Sequence, residues 1–527
     1  MYRIPTMVAC VLALAAGSLG PACAHAATAR GVVYEDLNEN GVRDAEEPGV
    51  PDYRVSNGRD ITLTDEEGRY ELGVDDDTII FVIKSRTWRS PLDERNIPRF
   101  YYIHRPDGAP DLEFGGVEPT GPLPESIDFP VYKQREPDEL NIVLFGDTQT
   151  RNQEEIDYLA HDIVEDLVGV DAAFGVTLGD IMFDDLSLFD SLNSTVGLVG
   201  IPWHNVVGNH DLNFDAENDR DSNTTFESVY GPPYYSFDYG PIHFVVLDDV
   251  VWRGRVKEPD AYRGGNYIGG LGADQLDFIR NDLELLDRRK RIVFFMHIPL
   301  TAEWIEEDRE EFYGILENYP HTASVSAHYH YHEHVLLTEE DGWGGEKPHH
   351  HIINVTTSGS WWSGAPDEAG IPHTTMRDGA PNGYSIMAFE GIAYLTDFRP
   401  ARRSEYDQMR IWTPEPILAS ELDSTEVLVN VYNGSERSRL TCRVKGVTDW
   451  TPMEKVLRPD PHYVEMKALE ETETPPPGRR LPDPIDSPHI WRAPLPSELE
   501  PGHYLLEVQD IDMYGVRRFG RRAIRVE

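Results

Sequence analysis

Five short apolar runs in this chain each end in residues that can hold a metal ion. Residues 140–145 lead to Gly146-Asp147-Thr148-Gln149, and residues 172–178 lead to Gly179-Asp180. Val206-Val207 leads to Gly208-Asn209-His210-Asp211, residues 292–296 lead to His297, and residues 324–327 lead to His328-Tyr329-His330. Mixed carboxylate, amide and imidazole donors suit Mn²⁺, Fe or Zn²⁺ better than Ca²⁺ or a thiolate-seeking metal. A single Gly-Asp is an ordinary turn, and a single His beside an apolar strand is an ordinary core or rim residue. Five such clusters in order, at the intervals of βα units, read as one site, because ligands of open α/β sheets bind outside the carboxyl ends of the strands.

The elements that must carry them follow from periodicity. From about residue 140 to 398, strands alternate with helical stretches such as 154–168 and 273–287, which argues for an α/β layered domain. The order Gly-Asp, Gly-Asp, Gly-Asn-His-Asp, His, Xaa-His-Xaa-His resembles the calcineurin-like metallophosphoesterase superfamily over this region. The resemblance implies a central αββα layered sandwich and two divalent transition metals, with Asp180 as the bridging carboxylate. It implies Asp147 and His330 on one ion and Asn209, His297 and His328 on the other. His210 would sit beside the scissile phosphate, oriented by Asp211. Two such ions polarise phosphoryl oxygens and lower the pKa of a bridging water, so that a metal-bridging hydroxide attacks phosphorus. His210 would protonate the leaving oxygen or stabilise its charge, and no nucleophilic Ser or Cys is required.

Three positions depart from the family pattern. Gln149 stands where many members have His, so either a neutral amide oxygen or nothing replaces an imidazole on the first metal. Phe183 replaces the Tyr that purple acid phosphatases carry three residues after the bridging Asp, so no tyrosinate-to-iron colour is expected. Ala327 replaces a usual Gly and removes no ligand. Around the site, Trp361 and Trp362 in a Gly/Ser loop are expected at the pocket rim, with Arg377 available either to a substrate phosphate or to one of many acidic neighbours. His332 and His334 would share one strand face, either exposed or supporting the ligands. His349-His350-His351 follows a Gly/Lys/Pro stretch and is expected in an exposed loop.

The chain before the central domain alternates short β runs (31–34, 69–72, 79–84) with Gly, Asn and Asp turns, a β-sandwich pattern. Within it, Asp36-Leu37-Asn38-Glu39-Asn40-Gly41-Val42-Arg43-Asp44-Ala45-Glu46-Glu47 fits D-x-[DN]-x-[DN]-G-x5-E. Asp36, Asn38, Asn40, the Val42 carbonyl, Asp44 and a bidentate Glu47 would supply the oxygens that Ca²⁺ needs. A strand rather than a helix precedes the loop, so a structural clip is expected, and the segment is similar to B-type modules of bacterial surface adhesins. After residue 399 come further β runs (426–432, 503–508, 523–526), interrupted by a Pro-rich stretch at 474–496 read as one long loop. The expected organisation is a signal peptide at 1–26, a β-sandwich module at 27–135, a catalytic domain at 138–398 and a β-rich domain at 399–527. With these flanks, the chain resembles bacterial secreted metallophosphoesterases.

Composition bounds the remaining choices. The chain has 527 residues, too long for one ordinary domain. Against 47 Lys+Arg stand 93 Asp+Glu, for a formal charge of -46, which repels nucleic-acid and lipid phosphates. No nucleic-acid binding is therefore expected. Arg3, an apolar stretch at 8–19 and Ala24-His25-Ala26 form a cleavable secretory signal, shorter than the ~20 apolar residues that span a bilayer. A soluble periplasmic or extracellular product is expected, with no membrane span in the mature chain. Cys442 is then its one cysteine and makes no internal disulfide. The expected function is a secreted two-metal phosphoesterase acting on small phosphate monoesters or diesters. The alternatives are a nuclease or nucleotidase of the same superfamily, and a non-catalytic, calcium-stabilised surface adhesion protein.

Overall fold

A computed structural model describes residues 27–255 and 265–527. The signal segment 1–26 lies outside the described residues.

Two sheets form the centre. One has the order Trp203–Asn205, Phe174–Thr177, Glu139–Phe145, Gly383–Glu390, Ala393–Pro400. Its first three strands are parallel, and the last two close it antiparallel. The other has the order Tyr235–Tyr239, Ile242–Val246, Arg291–Phe295, Thr322–Ser326, His349–Ile353, Glu333–Leu337, with its middle four strands parallel. Of these parallel strands, those ending in residues 142–145, 244–246 and 292–295 read there as continuous apolar runs because both of their faces are covered. Ile242–Val246 is buried at every position. Phe244 meets Phe389 of the opposite sheet edge to face at 5.8 Å, which places the two sheets against each other. Helices Gln153–Leu159, Gly272–Glu284 and Glu306–Leu316 complete the layers with apolar faces of Ile156 and Leu159, of Leu276 and Ile279, and of Phe312 and Leu316.

The first module is a sandwich of two four-stranded sheets, and it shares one continuous core with the central domain. Phe81 packs on Phe278 at 5.7 Å, and Phe100 on Tyr235 at 4.9 Å. The C-terminal domain is a second sandwich of two four-stranded sheets, with a core of its own around Val429, Val508 and Trp491.

Two expectations are corrected. His349–Ile353 is a buried strand, not an exposed loop. Its imidazoles survive burial because hydroxyls of the neighbouring parallel strand meet them: His349 Nε2 and His351 Nδ1 both face Ser324 Oγ, at 2.8 and 2.7 Å. The Pro-rich stretch is no single loop either, since Ser487–Pro494 is a largely buried strand paired with Glu426–Val431. Proline sits at the second and last positions of that strand, with His489-Ile490-Trp491-Arg492-Ala493 between them.

Candidate metal centre

The carboxyl ends of both sheets meet at one place, and the predicted ligands gather there. Asp147, Gln149, Asp180, Asn209, His297 and His330 are all buried, and His328 is nearly so. Asp180, His297 and His328 each offer a ligand atom within 4.8 Å of the others. Five of these residues adopt left-handed backbone: φ is 38° at Asp147, 35° at Gln149, 49° at Asp180, 73° at His328 and 57° at His330. Such conformations are costly for residues with a Cβ and persist only where the surroundings enforce them.

Neighbouring glycines enforce part of this geometry. Gly179 has φ 82°, and a Cβ there would press on the imidazole of His297. At Gly208 a Cβ would overlap the main chain of Asp180. Both positions require glycine for close approach. Asp249 accepts from the backbone N–H of His297 and of Ile298 at 2.9 and 2.8 Å, fixing the turn after strand Arg291–Phe295. Asp211 accepts from Ile181, Met182 and Gly208 N–H at 3.1, 3.0 and 2.9 Å, tying the second and third motifs together.

The donor set fits a divalent cation. His297 Nδ1 lies 2.9 Å from the Leu178 carbonyl, and His330 Nδ1 lies 2.7 Å from the Gly359 carbonyl. A carbonyl only accepts, so in the neutral rings both Nδ1 atoms carry the hydrogen and both Nε2 lone pairs face inward. His297 Nε2 then faces Asp180 Oδ1 at 3.2 Å, Asn209 Oδ1 at 3.1 Å and His328 Nδ1 at 3.1 Å. Acceptor atoms so arranged repel unless a proton or a metal cation lies among them. Ligand atoms at about 2.0–2.2 Å from one ion stand about 3 Å apart, as these do. Gln149 donates through Nε2 to Asp180 Oδ2 at 2.7 Å, while its Oε1 is buried without a hydrogen-bond partner, an orphaned acceptor that a metal would satisfy. On the other flank His330 Nε2 lies 3.9 Å from Asp147 Oδ1.

The charge states show the same demand for positive charge. Burial disfavours the His297 imidazolium, yet Asp180 outweighs it and pushes the pKa up to about 10. Asp147 is pushed upward, chiefly by burial.

His210 has a partner that the sequence did not suggest. Its Nδ1 lies 2.5 Å from Asp184 Oδ1, and its ring stacks on Phe183 at 4.6 Å. The expected orientation by Asp211 is thus corrected, because the Asp211 carboxylate is taken up by backbone N–H groups. Burial opposes protonation of His210, but Asp180 and the Asp184 hydrogen bond hold its pKa above the ordinary histidine value.

The walls differ from expectation at one Trp. Trp361 stacks on His330 at 3.9 Å with the rings 24° apart, and is partly exposed. Trp362 is 2 % exposed and donates through Nε1 to the Thr148 carbonyl at 3.0 Å, so it supports the first motif from behind rather than lining a rim. Arg377 donates to the Asp483 carbonyl at 3.1 Å. Arg151, unsuspected from sequence, donates to the Trp361 carbonyl and lies over the Phe183 ring at 5.2 Å. Tyr267 approaches His328 Nε2 at 3.5 Å. A signal was available for Asp184 and Asp249, acidic residues close behind strand ends, but nothing in so acidic a chain separates them from their neighbours.

A cavity of about 280 Å³, lined by Lys84, Phe100, Phe174, His204 and Tyr235 among others, lies between the first module and the central domain and contains none of these residues. No helix among the described residues is long and apolar enough to cross a membrane.

Comparison with known proteins gives two family models. The N terminal of calcineurin-like phosphoesterase matches residues 37–116, and the C terminal of calcineurin-like phosphoesterase matches residues 351–518. No curated protein matches. Among solved structures, a purple acid phosphatase from yellow lupin (Lupinus luteus) seeds aligns at 12% identity and a TM-score of 0.34, over 66% of this chain and 67% of that one.

Proposed function

This chain belongs to the calcineurin-like phosphoesterase family, and from that premise we propose that it is a secreted enzyme hydrolysing small organic phosphate monoesters or diesters at a two-metal centre. The observation that carries this reading is the inward Nε2 of His297, facing Asp180, Asn209 and His328 at 3.1–3.2 Å.

Asp180 would be shared by the two ions. Asp147, His330 and the orphaned Gln149 Oε1 would complete one set, and Asn209, His297 and His328 the other. When bound, divalent cations there supply Lewis acidity toward phosphoryl oxygens and acidify water near neutral pH. Mn²⁺, Fe and Zn²⁺ suit these donors. His210, held through Nδ1 by Asp184, would present Nε2 to the leaving group. There it would donate a proton to the departing oxygen or a hydrogen bond to a phosphoryl oxygen. Phe183 against the ring limits its rotation. Trp361 and Arg151 form the wall beside His330.

The test is hydrolysis of p-nitrophenyl phosphate and bis-p-nitrophenyl phosphate by the full mature chain, stripped and then reloaded with Mn²⁺, Zn²⁺ or Fe²⁺. Metal-dependent turnover lost in Asp180→Ala supports the reading, and the ratio of the two rates separates monoesterase from diesterase. A folded chain inactive with every metal would sink it.

The loop at 36–47 supports a structural calcium site in the same reading. Asp36 is 3 % exposed, with its oxygens turned to Asn40 and Gly41 N–H, and Glu47 accepts from Leu37 and Asp44 N–H. Titration calorimetry with Ca²⁺ on the whole chain and on Asp36→Ala checks it. Export rests on the 1–26 pattern and is checked by N-terminal sequencing of the protein recovered outside the cytoplasm.

A further inference from the structure

The segment that carries His328 and His330 is gripped from behind by the C-terminal domain. Beyond His330, the main-chain N–H of His332 donates to Asp378 Oδ2 at 2.9 Å. That carboxylate oxygen also meets Nε2 of His489 at 3.0 Å, and the other ring nitrogen of His489 lies 2.7 Å from Asn430 Oδ1. Asn430 in turn donates to the Asp378 carbonyl at 2.9 Å. His489 and Asn430 sit on paired strands of the C-terminal sandwich, whereas Asp378 follows the Trp loop of the central domain.

A second grip is made by Asn433, just past the strand Glu426–Val431. Its Nδ2 donates to the Thr396 carbonyl at 2.9 Å, which turns Oδ1 toward the histidines. Oδ1 lies 2.9 Å from His332 Nε2 and 3.0 Å from His334 Nε2. An amide oxygen only accepts, so both Nε2 atoms carry hydrogen. His334 Nδ1 is then an acceptor for His350 Nε2 at 3.0 Å, and His350 Nδ1 for the Tyr394 hydroxyl at 2.6 Å. One direction of donation runs through the whole chain of rings, and His332, His334, His350 and Asn433 are all buried. No exposed face remains for His332 and His334, and their rings are used as struts.

The strained backbone of His328 and His330 needs such an anchor, since left-handed conformations relax when nothing enforces them. We propose that Asn433, together with the Asp378–His489 pair, positions the metal-ligand segment, making the C-terminal domain an integral part of the metal centre. This rests on the two-metal reading above. Asn433 touches no ligand atom and is a positioning residue. Outer partners of this kind control metal affinity by about 10–100-fold.

The experiment titrates Mn²⁺ calorimetrically into the stripped full-length chain for wild type, Asn433→Ala, Asn433→Asp and Val429→Ala, with Tm measured for each stripped protein. Asn433→Ala is expected to lose about tenfold or more in Mn²⁺ affinity. Asn433→Asp, which keeps an acceptor for the two histidines but loses the donor to the Thr396 carbonyl, is expected to recover part of it. Val429→Ala, a cavity in the same C-terminal core, lowers Tm and leaves affinity unchanged. If Asn433→Ala does not fold, His489→Gln, acting on the same segment through Asp378, is read in its place. Wild-type affinity in the Ala variant, or an equal loss in Val429→Ala, overturns the inference alone. A wild-type chain that takes up no Mn²⁺ overturns the metal-centre reading and this inference with it.

Discussion

Asp184 Oδ1 lies 2.5 Å from His210 Nδ1, so the residue four places beyond Asp180 holds the imidazole that the Gly-Asn-His-Asp motif presents. Asp211, next to His210 in sequence, instead closes three backbone N–H groups.

The two carboxylates therefore fail differently. His210→Ala is expected to lower kcat by about 10²–10⁴-fold, the range of a positioned general acid. Asp184→Asn moves kcat in the same direction by a smaller factor and leaves Tm unchanged. Asp211→Ala strands three buried donors at about 1–3 kcal/mol each and lowers Tm steeply. Steady-state kinetics beside thermal melts separate them, and a stable Asp211→Ala would contradict the assignment.

Removal of metal is expected to destabilise as well as inactivate. Without a cation, Asp147 and Asp180 stay buried near each other, Gln149 Oε1 lacks a partner, and a proton on His297 is the nearby compensation. Reloading a stripped chain with ion at a hundredfold excess over Kd stabilises by about 2.7 kcal/mol per site. Melting curves with chelator and with Mn²⁺ should diverge in wild type and nearly coincide in Asp180→Ala.

Gly208 is a steric gate on the bridging carboxylate. A Cβ there overlaps the Asp180 backbone, so Gly208→Ala displaces Asp180 at an overpacking cost of about 1–3 kcal/mol. We expect lost metal affinity and lost turnover in a chain whose circular dichroism remains native. Unchanged metal affinity would count against the close approach.

The first module is locked to the central domain by a buried charge network with its own pH dependence. Arg54 donates to Asp238 and to Asp282, both at 2.9 Å, while His243 lies between the same two carboxylates at 2.8 and 2.9 Å and Lys290 reaches Asp238. Burial opposes the His243 imidazolium, but Asp282 and Asp238 raise its pKa. Its contribution is fully present below about pH 6.5, the unfolded value, and is lost as pH rises through the higher folded value. Against the cost of burial, His243 holds the Asp238 and Asp282 carboxylates below their ordinary range. Their contribution is present above about pH 3.9 and is lost as pH falls through the lower folded values. Tm against pH should fall on both sides, and His243→Gln should flatten the alkaline fall. Arg54→Ala, which leaves two carboxylates without their guanidinium, should cost about 3–5 kcal/mol at neutral pH.

The residues that gather at the candidate metal centre were legible as clusters because each cluster follows a short, largely apolar run, the mark of a parallel strand buried on both faces. That local signal picks out the clusters that hold Asp147, Asp180, Asn209, His297, His328 and His330, while their division into ligand sets is what the family resemblance implies. It could not place His349–Ile353, whose histidines look exposed until the serines of Thr322–Ser326 are set beside them. Nor could it pair His210 with Asp184, choose which Trp faces the site, or reveal Asn433 behind His332 and His334, about a hundred positions away in the chain. The difference is physical. Burial of a strand is written in its own side chains, whereas a polar group buried in the core is defined by a partner that only the packing of distant segments supplies.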